Sequence, residues 1–315
     1  MTTATTEGLY GTVTGLLKGE VAADNFATAR ILPHARLDAA SGQYLVRTTP
    51  LRAETTQLNF RKQAPGGSRA FTFVDYDRVN VTLDHYQSDL GLVHDSTIRL
   101  FNSGGSVDLL TDVARKIGES VKAVVDSEAR ALVAALSGSF SLDLTSASTN
   151  IAAIVLAEAT AIELRTGYRP TVMMVGPAVI DKMWYNTDVR AQAPMSANVA
   201  PGSTSRPLRR QAVIDWFMIA TGIELVENRM SATTSGTAGF AWTTTAVLGR
   251  FDTDTSAFHL YGPEAAQDGG AVFPVQGERV GAANGGPGEV VYVDADMKIA
   301  ATWAALASKC TVTLA

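Results

Sequence analysis

The stretch SVDLLTDVARKIGESVKAVVDSEARALVAALSG, Ser106 to Gly138, decides how the rest of the chain is read. Its apolar residues Leu110, Val113, Ile117, Val121, Val124, Val125, Leu132 and Leu136 fall at helical spacing, which predicts one apolar face. Ser106 reads as the N-cap, Asp108 and Asp112 suit the positive end of the dipole, and Ser137-Gly138 reads as the stop. About 30 residues rising 1.5 Å each make a rod of roughly 45 Å. No recognisable active-site motif flanks it. An amphipathic rod in loop-rich sequence suggests a building element rather than a reaction vessel.

Downstream of the rod, a second helix is predicted from about Thr149 to Thr166, with Gly167 as its stop. Thr171 to Val175 is a compact apolar strand holding Met173 and Met174. Gly176-Pro177 then opens a helix through Ile180, Met183 and Trp184, since proline suits the first helical position. Ala193 to Pro207 reads as a loop, Gln211 to Thr221 as a helix ended by Gly222, and Ile223 to Val226 as a strand. Further strands are predicted at Phe240–Leu248, Ala257–Tyr261, Glu289–Val293 and Thr311–Leu314.

Upstream, residues 1 to about 30 are rich in Thr, Ala and Gly and read as an arm that an outside surface must order, with a short helix near Ala22–Arg30. Gln43–Arg47 and Ala70–Val74 read as strands around the turn Pro65-Gly66-Gly67-Ser68, a long two-stranded excursion. Such a hairpin is marginal in water and needs a partner surface. Its charges are uneven. Arg47, Arg52, Arg61, Lys62 and Arg69 face a single acid, Glu54, between 41 and 70. Asp75, Asp77, Asp84, Asp89 and Asp95 face a single base, Arg78, between 75 and 95. Either these are complementary patches or they are two solvated faces.

The 315 residues are 46% hydrophobic and 18% charged, enough for a sizeable core. A net charge of −5 argues against a dedicated nucleic-acid binder. Cys310 stands alone, so no internal disulfide framework is possible, and it reads as a small buried hydrophobe. The first residues, Met1 to Thr6, show no signal-peptide pattern, and no run reaches 18 apolar residues, so a soluble chain is expected.

The motifs of catalysis do not appear. His34, His85, His94 and His259 make no metal-ligand spacing, though His85 and His94 could approach across strands. Gly285-Gly286-Pro287-Gly288 precedes a strand, so it is a turn and not a dinucleotide fingerprint. The acid pairs Asp252/Asp254 and Asp294/Asp296 read as turn residues rather than a cation site, and Arg206, Arg209 and Arg210 as a solvated loop. No catalytic, cofactor or metal residue is therefore assigned, and the chain is not expected to be an enzyme.

The order of elements resembles the major capsid protein of tailed bacteriophages, with the α+β fold named after phage Hong Kong 97. The resemblance rests on the arm, the excursion, the long helix, the run Gly167-Tyr-Arg-Pro-Thr-Val-Met-Met-Val-Gly-Pro-Ala-Val-Ile-Asp-Lys-Met-Trp184, and the helix-to-strand step Ala220-Thr-Gly-Ile-Glu-Leu-Val-Glu-Asn228. It implies an N-terminal arm over 1–30 and an extended loop with its base over 31–80. A peripheral domain over 81–165, with its spine helix at 106–137, would be completed by about 255–300. An axial domain over 166–254 would be completed by about 301–315.

The resemblance further implies a virion shell subunit, assembled in the host cytoplasm, that forms pentamers and hexamers around double-stranded DNA without reading its sequence. Partners would be copies of itself, a portal, a separate scaffolding protein and decoration proteins, with no cofactor and no membrane. Inter-subunit contacts would fall on Arg47, Arg52, Arg61, Lys62, Arg69, Asp75, Asp77, Asp84 and Asp89. With only about 30 residues before the first strand-like region, no cleaved scaffolding segment is expected. Asn59 and Lys62 lie in the loop, but no acid is placed to drive a cross-link between them and a neighbour. An encapsulin-like cellular shell and a soluble α/β enzyme are the competing readings.

Overall fold

A computed structural model describes residues 26–36, 43–47, 76–87, 91–94, 109–192, 206–234, 237–253, 255–262, 275–280 and 288–314. The long amphipathic stretch forms helix α1, Leu109–Ala134, of 26 residues. Its buried face is rotated from the predicted one. Val125, Ala129, Val133 and Leu136 are buried, whereas Val124 is 39% exposed. Val121 and Leu132 sit at the border. The buried arc runs through Val125, Ala129, Val133 and Leu136, steps of three and four that leave Val124 off the face. The proposed cap Ser106 and the side chains of Leu110, Val113 and Ile117 lie outside the described residues.

In chain order the strands are β1 (His34–Arg36), β2 (Gln43–Arg47), β3 (Tyr76–Asn80), β4 (Asp84–Gln87), β5 (Gly91–His94), β6 (Ser139–Asp143), β7 (Val172–Val175), β8 (Glu224–Glu227), β9 (Ser231–Thr234), β10 (Thr237–Phe240), β11 (Thr245–Gly249), β12 (Phe251–Asp252), β13 (Thr255–Ser256), β14 (Phe258–Gly262), β15 (Val275–Val280), β16 (Gly288–Ala301) and β17 (Ala307–Thr313). The remaining helices are α2 (Ile151–Thr166), α3 (Pro177–Met183), α4 (Thr187–Gln192) and α5 (Arg206–Thr221). A 3-10 turn, Ala27–Ile31, stands where a short helix is predicted near Ala22–Arg30.

The central sheet runs β6-β17-β11-β7-β8. β6 pairs parallel with β17 and β7 parallel with β8, while β11 is antiparallel to both β17 and β7. β6 and β7 therefore point the same way, and α2 is the crossover between them. Asn150 caps α2 by accepting from the Ala153 amide at 3.0 Å, and Gly167 ends it at φ 84, where a Cβ would be strained. The helices α3, α4 and α5 form the next crossover, from β7 to β8, on the same face as α2.

All four residues of β7 are buried because the sheet is covered on both sides. Met173 and Val175 join Leu248, Cys310 and Phe217 beneath α2, α3 and α5. Val172 and Met174 join Val247, Ala129, Val133 and Trp242 on the α1 side. Alternation along a strand thus divides the interior into two cores.

A second sheet is built on β16, a strand of 14 residues that pairs antiparallel with β4, β5, β14 and β15. β1 adds parallel to β14. At the root of the excursion β2 pairs with β3, Gln43 opposite Asn80 and Arg47 opposite Tyr76. The predicted strand Ala70–Val74 and the loop tip lie outside the described residues.

Three local readings change. Helix α5 begins at Arg206 rather than Gln211. The predicted strand Phe240–Leu248 is broken between β10 and β11, and Trp242 in the break is fully buried. Asp294 and Asp296 stand within β16 and not in a turn.

His34 in β1 carries a buried Nε2 with no hydrogen-bond partner, and burial holds its pKa below 6.5. Just below that pH the unfolded chain binds a proton that the folded ring resists, so stability falls as the pH drops from 6.5 through the folded pKa. The denaturation midpoint is expected to fall between about pH 7 and about pH 5, and His34→Gln to reduce that fall. An equal fall in both proteins would exclude His34 as the source.

Candidate functional site

Asp126 projects from α1 at the edge of the buried face and is 1% exposed. A lone buried carboxylate is costly unless donors surround it. Its Oδ1 accepts from Thr28 Oγ1 at 2.6 Å, Trp242 Nε1 at 2.8 Å and Asn228 Nδ2 at 3.0 Å. Its Oδ2 accepts from Arg130 Nε at 3.1 Å, one helical turn on. Asn228 Nδ2 also donates to Thr28 Oγ1 at 2.8 Å. The Asn228 backbone amide bonds the Val175 carbonyl at the end of β7, and its Oδ1 accepts the Met230 amide. One side chain of α1 thereby joins the 3-10 turn, the end of β8 and the segment before β11.

Beside this junction lies a groove of about 880 Å³ between the 3-10 turn, α1 and β8. Arg30, Lys116, Lys122 and Arg229 stand among its cations, and Glu119, Glu224 and Glu227 among its acids. Arg30 pairs with Glu224 at 2.6 Å and Arg229 with Glu227 at 2.9 Å.

The arginine cluster read as a solvated loop is partly interior. Arg210 grips Asp181 of α3 through two bonds of 2.9 Å and also pairs with Glu227 of β8. Arg209 lies over the Trp184 ring at 5.9 Å. Arg210 thus fixes α5 to both α3 and β8. Arg165 of α2 donates to the Ala305 and Ala307 carbonyls and to Ser308 Oγ.

The histidines separate. His85 faces Asp296 and His94 faces Gly288 along β16, eight strand positions apart, so they do not approach each other. His85 Nδ1 contacts Asp296 at 2.7 Å with both side chains exposed. His259 is buried, held by Thr302 Oγ1 at 2.7 Å and the Thr253 carbonyl at 3.2 Å. Among the described residues no group of three or more His, Cys, Asp and Glu comes together, and no helix is long and apolar enough to cross a membrane. Cys310 is buried, and burial pushes its thiol pKa up to about 12.

Of the charged residues expected at inter-subunit contacts, Asp84 has a described side chain. It takes a bond from Lys298 at 2.5 Å within the same subunit, and that bond raises the Lys298 pKa. Burial, then Glu128 and Asp84, raise the pKa of neighbouring Tyr86. Arg47 and Asp77 face each other's strands at the excursion root, one register step apart. Arg52, Arg61, Lys62, Arg69, Asp75 and Asp89 lie outside the described residues.

Sequence reasoning missed Asp126, Thr28, Asn228 and Trp242. Their one sequence signal is an acid set between Val125 and Ala129 on an otherwise apolar helix face.

No family model matches the chain, and no curated protein does. Among solved structures it is similar to a phage-related protein from Bordetella bronchiseptica RB50, with TM-score 0.61 and 14% identity over 94% of this chain and 96% of that one. It is similar to the capsid of cyanophage P-SCSP1u, with TM-score 0.53 and 11% identity over 90% of this chain and 87% of that one. The mature capsid of bacteriophage PhiM1 matches with TM-score 0.52 and 11% identity over 91% of this chain and 87% of that one. The chain therefore has the Hong Kong 97-type capsid fold.

Proposed function

We propose that the chain is a major capsid protein whose copies form the pentamers and hexamers of an icosahedral phage shell around double-stranded DNA. One observation carries this reading: the chain shares its fold with phage capsids over 90–91% of its length. The chain acts by assembling and carries out no catalysis. Its partners are further copies, a portal, a separate scaffolding protein and decoration proteins, and its place is the virion, assembled in the host cytoplasm.

Electron microscopy of the purified protein tests the reading. Closed particles holding nuclease-protected DNA are expected when phage components are co-expressed. Particles that enclose protein cargo instead of DNA would favour a cellular compartment. A monomer or small oligomer under every assembly condition would overturn the shell.

The uneven charges of the excursion supply a finer expectation. Arg61 and Lys62 meet acids of a neighbouring copy in this reading. Exposed pairs contribute about 0–1 kcal/mol each, but a shell repeats them at every interface. Arg61→Glu with Lys62→Glu is expected to lower particle yield and to make particles more salt-sensitive. Unchanged yield and salt tolerance would remove these residues from the interface.

A further inference from the structure

Helices α2 and α5 both return from the end of one parallel strand to the start of the next, so they run side by side in one direction. Their ends stay together: Arg169, just past α2, donates to the Thr221 carbonyl at the end of α5 at 3.3 Å. Leu164 stands one turn before the end of α2, and Met218 and Ile219 one turn before the end of α5. These three large apolar side chains, at the same end of two neighbouring helices, are between 51% and 74% exposed. Helix α2 is apolar nearly all the way round. Of its charged residues, Glu158 and Arg165 both bond the buried Ser308, and its outward Ala153, Ala157 and Thr160 are uncharged. A helix of that kind is ordinarily covered on every side.

On the opposite side of the central sheet, α1 presents an uncharged outward face of its own. Ser120, Ala123, Val124, Ser127, Ala131 and Ala134 are all exposed and follow helical spacing for about four turns. The exposed face of a surface helix is ordinarily charged, whereas the cores of protein interfaces are depleted in charge. Neither face carries a lysine or arginine among these residues, so phosphate is not what they meet.

We propose that the outward face of α2 and α5 on one copy packs against the outward face of α1 on the next. Leu164, Met218 and Ile219 supply the large side chains, and the small Ala123, Ser127 and Ala131 leave room for them. One chain therefore carries both halves of the contact, on opposite sides of one sheet. Unlike faces meeting head to tail generate a ring when the rotation closes, as a pentamer or hexamer requires. The proposal rests on the shell reading for its second copy.

Disulfide mapping in the full chain tests it. Chains carrying Ile219→Cys are mixed with tagged, longer chains carrying Ser127→Cys or Ala131→Cys, then assembled and oxidised. Cys310 does not interfere, because its thiol is buried. Mixed dimers on a non-reducing gel are the expected product. Links between two Ile219→Cys chains without mixed dimers would overturn the proposal in favour of a symmetric contact, and so would the absence of any link. Maleimide labelling of Ile219→Cys gives an independent reading. It is expected to slow roughly tenfold or more when free subunits assemble. Equal labelling of free and assembled chains would overturn the proposal. Slowing only when another phage component is added would overturn it too, giving the face to that component. Met218→Glu with Ile219→Glu is expected to keep the parental denaturation midpoint and to lose assembly. Particles at parental yield would overturn the proposal and leave the shell reading standing. Small oligomers that link through Ile219→Cys and Ala131→Cys but never close would overturn the shell and leave this contact standing.

Discussion

Asp126→Ala is expected to lower the stability of the subunit by about 3–5 kcal/mol, because three buried donors lose their shared acceptor at once. The removed carboxylate accepts from Thr28, Asn228, Trp242 and Arg130, and alanine offers none of these donors an acceptor. Thr28 and Asn228 are buried with it, so water cannot take its place without opening the junction. Domains are stable by only about 5–15 kcal/mol, so the loss is a large share of the total. Asp126→Asn should cost less, roughly 1–2 kcal/mol, because its amide oxygen still serves the donors on Oδ1 while Arg130 loses its charged partner. Arg130 is 37% exposed and can turn to solvent. Urea denaturation of the three proteins checks the order. An alanine variant within about 1 kcal/mol of the parent would mean that the junction does not hold the core together.

Local chemistry made much of this fold readable. Gly167 and Pro177 act on their own backbone neighbours, and the structure ends one helix at the first and begins another at the second. Thr171 to Val175 reads as a compact apolar strand, and the structure buries all four residues of Val172–Val175. What escaped depends on partners far along the chain. Asp126 finds Trp242 across 116 positions and Asn228 across 102, and helical spacing says nothing about either. Val124 and Val125 are equivalent hydrophobes in sequence, and only the packing of α1 on the rest of the chain decides that Val125 is buried and Val124 exposed. Arg210 sits in a run of arginines that looks solvated until Asp181 and Glu227 converge on it. Asp296 looks like half of a turn pair, yet it stands in β16 opposite His85. The candidate contact residues of the excursion were named from charge alone, and charge patterns locate a surface without locating its partner.

Gly176→Ala is expected to abolish folding, read as loss of soluble protein, with a cost beyond about 4 kcal/mol. Gly176 caps α3 at φ −82 and ψ 165, a conformation open to any residue, so backbone strain is not the reason. Space is the reason. A Cβ there would lie 1.6 Å from the Trp242 carbonyl oxygen and 2.6 Å from its carbonyl carbon. Backbone atoms cannot rotate away as a side chain does, so the usual 1–3 kcal/mol of overpacking is a lower bound of about that size. The Trp242 segment also cannot shift freely, because its indole is fully buried and bonded to Asp126 at 2.8 Å. Gly239→Ala is the matched control, since a Cβ there meets nothing within 4 Å, and its midpoint should stay close to the parent's. Gly222→Ala falls between them: its Cβ has room, but φ +70 is a strained angle worth about 1 kcal/mol or more in any residue with a Cβ. If Gly176→Ala instead stays soluble with a near-parental midpoint, the approach of the β7–α3 turn to Trp242 is wrong, and with it the wedge that holds Trp242 against Asp126. Where the variant is rescued enough to measure, its cost should not add to that of Asp126→Ala, because both changes release the same indole.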